Sequence, residues 1–199
     1  MLKKTLSLIT ATVLSISFMA CSTSTPNESG SGNNKTQKEE TSDSKGKVYE
    51  IDGAVVEDSG ITQTIKEVSV FDNMTDAVES YGQSNLVIND RNKDKVTVVL
   101  KFEITNNNDF MINTYPTQAT FITNTGEQVD ADLWASESFD GDIYEGVTKQ
   151  GHVLFNLDKT SVDELTSFKM MWSTNHDNGT SDNYEDDYHM DNKLEVILK

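Results

Sequence analysis

The sequence predicts an all-β fold, an antiparallel sandwich. Three observations carry this reading. Apolar residues recur at every second position in many short stretches, the mark of strands with one buried face. Clusters of Asn, Asp, Gly and Ser separate those stretches at turn-like spacing. No segment shows strong helical periodicity.

The elements follow in chain order. Residues 48–51 and 54–57 read as short strands, and 61–71 as a longer one. That longer stretch loses phase near Glu67, which predicts a β-bulge. A helical turn is expected near Thr75–Val78. The clearest strand is Val96–Ile104. Positions 96, 98, 100, 102 and 104 are apolar and 97, 101 and 103 polar, with Val99 the exception. It runs into Asn106-Asn107-Asn108-Asp109, strong turn chemistry. Ala119, Phe121 and Thr123 alternate with Thr120 and Ile122, before a turn at Asn124–Gly126. Val153, Phe155 and Leu157 alternate with His152, Leu154 and Asn156. Ser161-Val-Asp-Glu164 has the form of a capping box. Phe168, Met170 and Trp172 alternate with Lys169 and Met171, and Leu194, Val196 and Leu198 close the chain. Many short strands of this kind indicate two packed sheets. No disulfide staples them, because the chain has one cysteine.

That cysteine, Cys21, ends a segment laid out as an export signal. Lys3 and Lys4 precede an uncharged run from Thr5 to Ala20. The run contains six Ser or Thr residues and is short for a membrane-spanning helix, so a cleaved signal peptide over 1–20 is expected. Phe18-Met19-Ala20-Cys21 resembles the lipobox of bacterial lipoproteins, in which diacylglycerol alkylates the thiol before cleavage. Ala20 supplies the small residue before the cut; Phe18 stands where leucine is usual. The resemblance implies cleavage between Ala20 and Cys21, lipid on Cys21, and an address on the extracellular face of the cell membrane. A plain secretory signal followed by a chance cysteine is the alternative. Residues 22–47 contain no Ala, Val, Ile, Leu, Met, Phe, Trp, Tyr or Cys. Such a stretch buries too little apolar surface to offset its ordering entropy, so 21–47 is expected to be a disordered tether. Its typical span is roughly 25–30 Å. Residues 48–199 remain and suit one domain with one core.

Cleavage would remove two lysines and no acids from a chain with 16 basic and 33 acidic side chains, leaving 14 and 33 and a formal charge of −19. That balance argues against nucleic acid, whose binding depends on cationic side chains at phosphates. An extracellular protein, a cationic peptide or a neutral glycan is a more comfortable partner. Solubility alone is the simpler account of the charge.

Three stretches carry a wider resemblance: Val96–Asp109, Phe121–Gln128 and Gly146–Phe155. Their order is similar to that of small Gram-positive lipoproteins whose domain of unknown function is related to the mycobacterial immunoprotective extracellular antigen. The resemblance spans roughly residues 50–172 and the last strand. It implies an immunoglobulin-like antiparallel β-sandwich and brings no catalytic residue or cofactor. Residues 72–95 and 173–192 fall outside it and read as long polar insertions, whose meeting at one end would mark a binding site.

No chemistry assembles from the remaining motifs. His152 is expected to face solvent from its strand. His176 and His189 lack the companions of a zinc site. Asp90-Arg-Asn92-Lys-Asp94 begins like an EF-hand loop, but Lys95 and Lys101 occupy the positions that need Gly and Glu. Asp182–Asp187 with Asp191 is an acidic loop in which calcium is one reading and a solvated surface the other. Tyr184 and Tyr188 add aromatic surface there, while Trp172 belongs to the core by its phase. The expectation is a non-catalytic binding module with no cofactor and no metal. A calcium-dependent adhesion or sensing module, and an envelope hydrolase accessory or inhibitor, are the alternatives.

Overall fold

A computed structural model describes residues 46–51, 53–81, 88–176 and 188–199. The predicted signal peptide, Ala20, Cys21 and the tether as far as residue 45 lie outside the described residues.

The all-β sandwich predicted from the alternation is the fold observed. In the first sheet, β1 (Gly46–Glu50) and β2 (Val55–Asp58) pair with successive halves of β3 (Ile61–Phe71). Then come β4 (Val96–Asn106) and β9 (Thr148–Leu157). The second sheet is centred on β10 (Ser167–His176). One edge of β10 takes β11 (Tyr188–Ile197) along its whole length. The other takes β6 (Thr120–Thr123) and β5 (Ile112–Thr114), which continue into β7 (Gln128–Asp130) and β8 (Gly141–Ile143). Every pairing is antiparallel.

Aromatic residues join the sheets. Phe121 of β6 stacks on Phe155 of β9 and on Phe168 of β10, with ring centroids 4.7 and 4.5 Å apart. Phe102 meets Trp172 edge-on at 5.4 Å. Each fully buried ring contributes roughly 1.5–3 kcal/mol through burial alone.

The phase slip in β3 is a bulge at Lys66, between Ile65 and Glu67 in the pairing with β4. Before it, Ile61, Gln63 and Ile65 are buried; after it, Val68 and Val70 are. The extra residue therefore turns Glu67, Ser69 and Phe71 to the outer face. Val99, the exception in its strand, and Leu154, set among polar neighbours, also point outward. Both are buried all the same, in a second apolar cluster with Phe71, Met74, Ala77 and Ala135.

Three expectations are corrected. The first strand starts at Gly46, two residues before the expected domain start. Gly46 pairs with Phe71, and a Cβ there would lie 2.5 Å from the Phe71 ring, so a residue that reads as linker is required by close approach. The segment 72–95 is not a plain polar insertion, because it carries a helix, α1 (Met74–Tyr81), longer than the turn expected at 75–78. Asn73 caps that helix: its Oδ1 accepts from Asp76 N at 2.9 Å, and its amide donates to the Asp76 carboxylate. Burial of Met74 and Ala77 over Val99 and Leu154 stabilises what propensity alone does not. The described parts of the segment 173–192, residues 173–176 and 188–192, continue the pairing of β10 with β11, which runs from Ser167–Ile197 to His176–Tyr188. Their hydrophobic pattern fades because Thr174 and Asn192 occupy inward positions.

Candidate functional site

Strand β9 is an edge of the first sheet, and residues 131–139 cover it. Asp132 N donates to Leu154 O at 2.8 Å, and Leu154 N donates to Ser136 Oγ at 3.0 Å. Glu137 N donates to His152 O at 3.0 Å, and His152 N to Glu137 Oε2 at 2.9 Å. Phe139 fills the space above Gly151, where a Cβ would come within 2.2 Å of its ring. The backbone groups of an edge strand are thereby satisfied by a loop rather than left as a template.

The tip of this segment is a turn fixed by Asp132. Its Oδ1 accepts from Trp134 N at 3.2 Å and Ala135 N at 3.1 Å. Its Oδ2 accepts from Asn156 Nδ2 at 2.8 Å and Asn92 Nδ2 at 3.4 Å. Ala135 anchors the turn in the second apolar cluster. The residues between are driven outward: Trp134 is 82% exposed and Leu133 52%. A tryptophan presented on so constrained a turn is unusual, because its indole is normally kept at least partly from water.

Beside the turn lies a polar cluster. The Tyr81 hydroxyl donates to Glu67 Oε1 at 2.9 Å and lies 2.8 Å from Ser69 Oγ. Burial, above all, pushes the Tyr81 hydroxyl well above its ordinary value, so it stays protonated and serves as a donor. The His152 ring packs edge-on to Tyr81 at 5.0 Å, and its Nδ1 lies 2.8 Å from Glu137 Oε2. His152 is therefore partly covered by Tyr81 and Glu137, not turned to open solvent as expected. Ser69 is buried and engages Tyr81 and Glu67, whereas His152 engages Glu137. The serine and the histidine do not form the nucleophile–base pair of acyl transfer.

The other candidates separate. Asn175 pairs with His189, while His176, one residue further along, points to the opposite face of the hairpin. There His176 Nδ1 lies 2.6 Å from Met111 O and its ring packs, tilted, against Phe110. His189 Nε2 lies 3.2 Å from Asp191 on the exposed face. Asp191, expected in a loop, sits in β11 opposite Ser173. Asp182–Asp187 and Tyr184 lie outside the described residues. Asp90–Asp94 form a tight turn held by Asn89 and Asn92, with Lys93 bonded to Asp90. Among the described residues, no group of three or more His, Cys, Asp and Glu is placed to hold a metal ion. Trp172 is in the core, as its phase predicts.

Among the described residues, the two segments outside the resemblance do not meet. The described flanks of the first, Tyr81 and Lys95, lie at the Phe71–Val96 end of the first sheet. Those of the second reach the other end of β4, where His176 meets Met111 and Phe110, and Phe110 O accepts from Asn106. Trp134 was not singled out by any motif. Its signal in the sequence is Asp132-Leu-Trp-Ala135, two large apolar neighbours where alternation can bury at most one.

No helix among the described residues is long and apolar enough to cross a membrane. No protein-family profile matches the chain, and no curated protein sequence matches it. Solved structures do. A conserved hypothetical protein from Bacillus anthracis is 15% identical, with a TM-score of 0.45 over 66% of this chain and 94% of that one. A functionally unknown protein from Listeria monocytogenes EGD-e is 14% identical, with a TM-score of 0.49 over 77% of this chain and 86% of that one.

Proposed function

We propose that this protein is a lipoprotein held on the extracellular face of the cell membrane by lipid on Cys21, and that its sandwich is a non-catalytic module that docks a basic protein segment on Trp134 and Leu133. The observation that carries the docking reading is the exposure of Trp134 on a turn whose backbone is pinned on both sides of it. A rigid, exposed tryptophan loses little conformational entropy on binding, and tryptophan is the residue type most enriched among binding hot spots. The surrounding sequence selects the sign of the partner. No lysine or arginine occurs between Lys101 and Lys149, while nine acids do, Asp130, Asp132 and Glu137 among them. On the turn that bonds to Asp132 through Asn92, Lys93 pairs with Asp90 and Lys95 with Asp158, so lysine and arginine side chains of a partner fit this acidic run and the indole face, through cation–π contact.

The two tryptophans make the test direct. Trp172 is buried and Trp134 is not, so a ligand at the tip shifts the emission of one and spares the other. A short Lys/Arg-rich peptide is expected to bind and an acidic peptide of equal length is not. Trp134→Ala is expected to weaken binding about tenfold or more. Its thermal stability should stay within about 0.5 kcal/mol of the parent, since an exposed ring contributes little to folding. Equal binding of both peptides, or binding indifferent to Trp134→Ala, would refute the docking reading.

The anchor has its own test. Cys21→Ala is expected to move the protein from the membrane fraction to the soluble fraction and to abolish lipid labelling. A single acyl chain gives only marginal, reversible binding, so the two chains of a diacylglycerol thioether account for stable retention. Retention of the variant in the membrane, with labelling unchanged, would rule the anchor out.

A further inference from the structure

The sheet edges of this domain are not treated alike. The β9 edge is covered by residues 131–139, and β7 and β8, at the far side of the second sheet, have three residues each. Strand β11 is different: it runs for ten residues, and among the described residues it pairs only with β10. Beside its last residues runs an open groove of about 370 Å³. Tyr49, Ile51 and Ala54 line one side of it, Glu195, Ile197 and Lys199 the other.

Hydrogen-bond phase identifies which backbone groups are free to pair. Leu198 N donates to Thr166 O, so Leu198 and Thr166 form a hydrogen-bonded pair. Antiparallel ladders alternate hydrogen-bonded and non-hydrogen-bonded pairs. The even-numbered residues of β11 therefore bond to β10. His189, Asp191, Lys193, Glu195 and Ile197 direct their N–H and C=O groups to the open edge, and their side chains are exposed on the outer face of the sheet.

We infer that β11 is a dimerisation edge, at which a second copy of this chain adds antiparallel with its Asn192 opposite Asn192. Charge selects both the partner and the register. This register places Asp191 opposite Lys193 of the second copy, and Glu195 opposite His189 of the second copy; two-fold symmetry repeats both. All four are hydrogen-bonded positions, so each residue pair exchanges main-chain bonds while its side chains complement. Moving the register by one allowed step puts Lys193 against Lys193 and Asp191 against Glu195, juxtaposing like charges, which destabilises adjacent strands. The chain as a whole carries a formal charge of −17, so two copies repel. Along this edge one lysine and one histidine alternate with two acids, so the edge itself adds little to that repulsion. Ile197, 63% exposed, and Met171, 38% exposed, add apolar surface on the same outer face.

Pairing of this kind closes an edge that would otherwise accept other chains, and it presents two Trp134 tips on one assembly. It does not depend on what those tips bind.

The test uses the mature lipidated chain in detergent, followed by sedimentation and by oxidative cross-linking in membranes. The parent is expected to sediment as a dimer. Lys193→Asp sets acid against acid at both copies of the pair and is expected to raise the dissociation constant about thirtyfold. The exchange Asp191→Lys with Lys193→Asp restores opposite signs and is expected to restore the dimer, which separates charge pairing from a folding defect. In a second arm, D191C with K193C in one chain is expected to cross-link between copies, because hydrogen-bonded neighbours lie about 5.5 Å apart at Cα. K193C alone is not expected to cross-link in this register. A monomeric parent, a double exchange that fails to recover the dimer while folding normally, or efficient cross-linking of K193C alone would each overturn the inference.

Discussion

Replacing Gln63 with alanine is expected to destabilise the domain by about 4 kcal/mol, the largest effect of any single polar substitution in the sandwich. Gln63 is fully buried between Ile61 and Ile65 on the inner face of β3. Its Oε1 accepts from Trp172 Nε1 at 2.8 Å and from Thr114 Oγ1 at 3.0 Å. Its Nε2 lies 3.0 Å from both Thr174 Oγ1 and Asn192 Oδ1, to which it donates. One amide thus ties the first sheet to three strands of the second. Alanine leaves an indole N–H and an amide oxygen without partners in a dry core, at about 1–3 kcal/mol for each group that finds no substitute, and takes one contact from each of two threonine hydroxyls. The contact between Thr114 and Thr174, 2.8 Å apart, and the bond from Asn192 Nδ2 to Thr174 survive, so the losses do not simply add. A cavity adds to the cost. Urea unfolding followed by Trp172 emission is the measurement, and the midpoint should fall with little change in slope. Leucine at 63 refills the volume but not the acceptor, so it should recover only the cavity part. A loss below about 1 kcal/mol for Gln63→Ala would mean that water replaces the amide there.

The same residues show where reading the sequence succeeds and where it stops. Period-two alternation located the strands because an inward side chain is buried wherever a second sheet covers it. The slip near Glu67 located the bulge for the same reason. Gln63, Thr114, Thr174 and Asn192 also hold inward phases, each two positions from an apolar inward neighbour. In sequence they read as breaks in the pattern. Only the packing of β3 against β5, β10 and β11 makes them one satisfied network, and contacts across the two sheets, between residues 51 to 129 positions apart, have no local signature. Val99 and Leu154 mark the opposite case. They look like errors of alternation on a solvent face, and they are the base on which α1 and Ala135 sit.

The candidate site was less legible than the fold. The proposed anchor at Cys21 is open to a sequence reading because a lipobox is local and linear. Trp134 is readable only in retrospect, since its exposure depends on Asp132 accepting bonds from four donors, two of them from Asn92 and Asn156 on distant elements. The acidic residues near Asp191 stand out in the sequence by density alone. Pairing of β11 with β10 places Asp191 in a strand opposite Ser173.

Glu127 governs the second large effect, which depends on pH. The turn after β9 would leave consecutive amides unpaired, and one carboxylate satisfies them. Asp158 N donates to Glu127 Oε1 at 2.6 Å, Lys159 N to the same oxygen at 3.0 Å, and Thr160 N to Oε2 at 2.8 Å. Thr160 Oγ1 donates to Oε2 at 2.7 Å. Burial acts to raise the carboxyl pKa, but the Thr160 hydroxyl and the three amides outweigh it, and the net shift is downward from the ordinary glutamate value. The unfolded chain therefore binds the proton more readily than the folded one, and stability rises with pH across the interval between the two values. The contribution is complete above the ordinary glutamate range near pH 4.3 and is lost as pH falls through the lower folded value. Glu127→Gln keeps the shape but turns an NH₂ group towards N–H and O–H donors. At pH 7 it is expected to cost about 2–3 kcal/mol, near the upper range for hydrogen bonds to a charged group. The difference between parent and variant should shrink as the pH drops below the ordinary glutamate value, because protonation then stabilises the unfolded parent, until the folded carboxyl is protonated as well. Thermal melts of both proteins from pH 7 to pH 3 measure that difference directly. Other titrating groups are common to both chains and cancel from it. A gap that stays constant with pH would show that Glu127 acts through shape rather than charge.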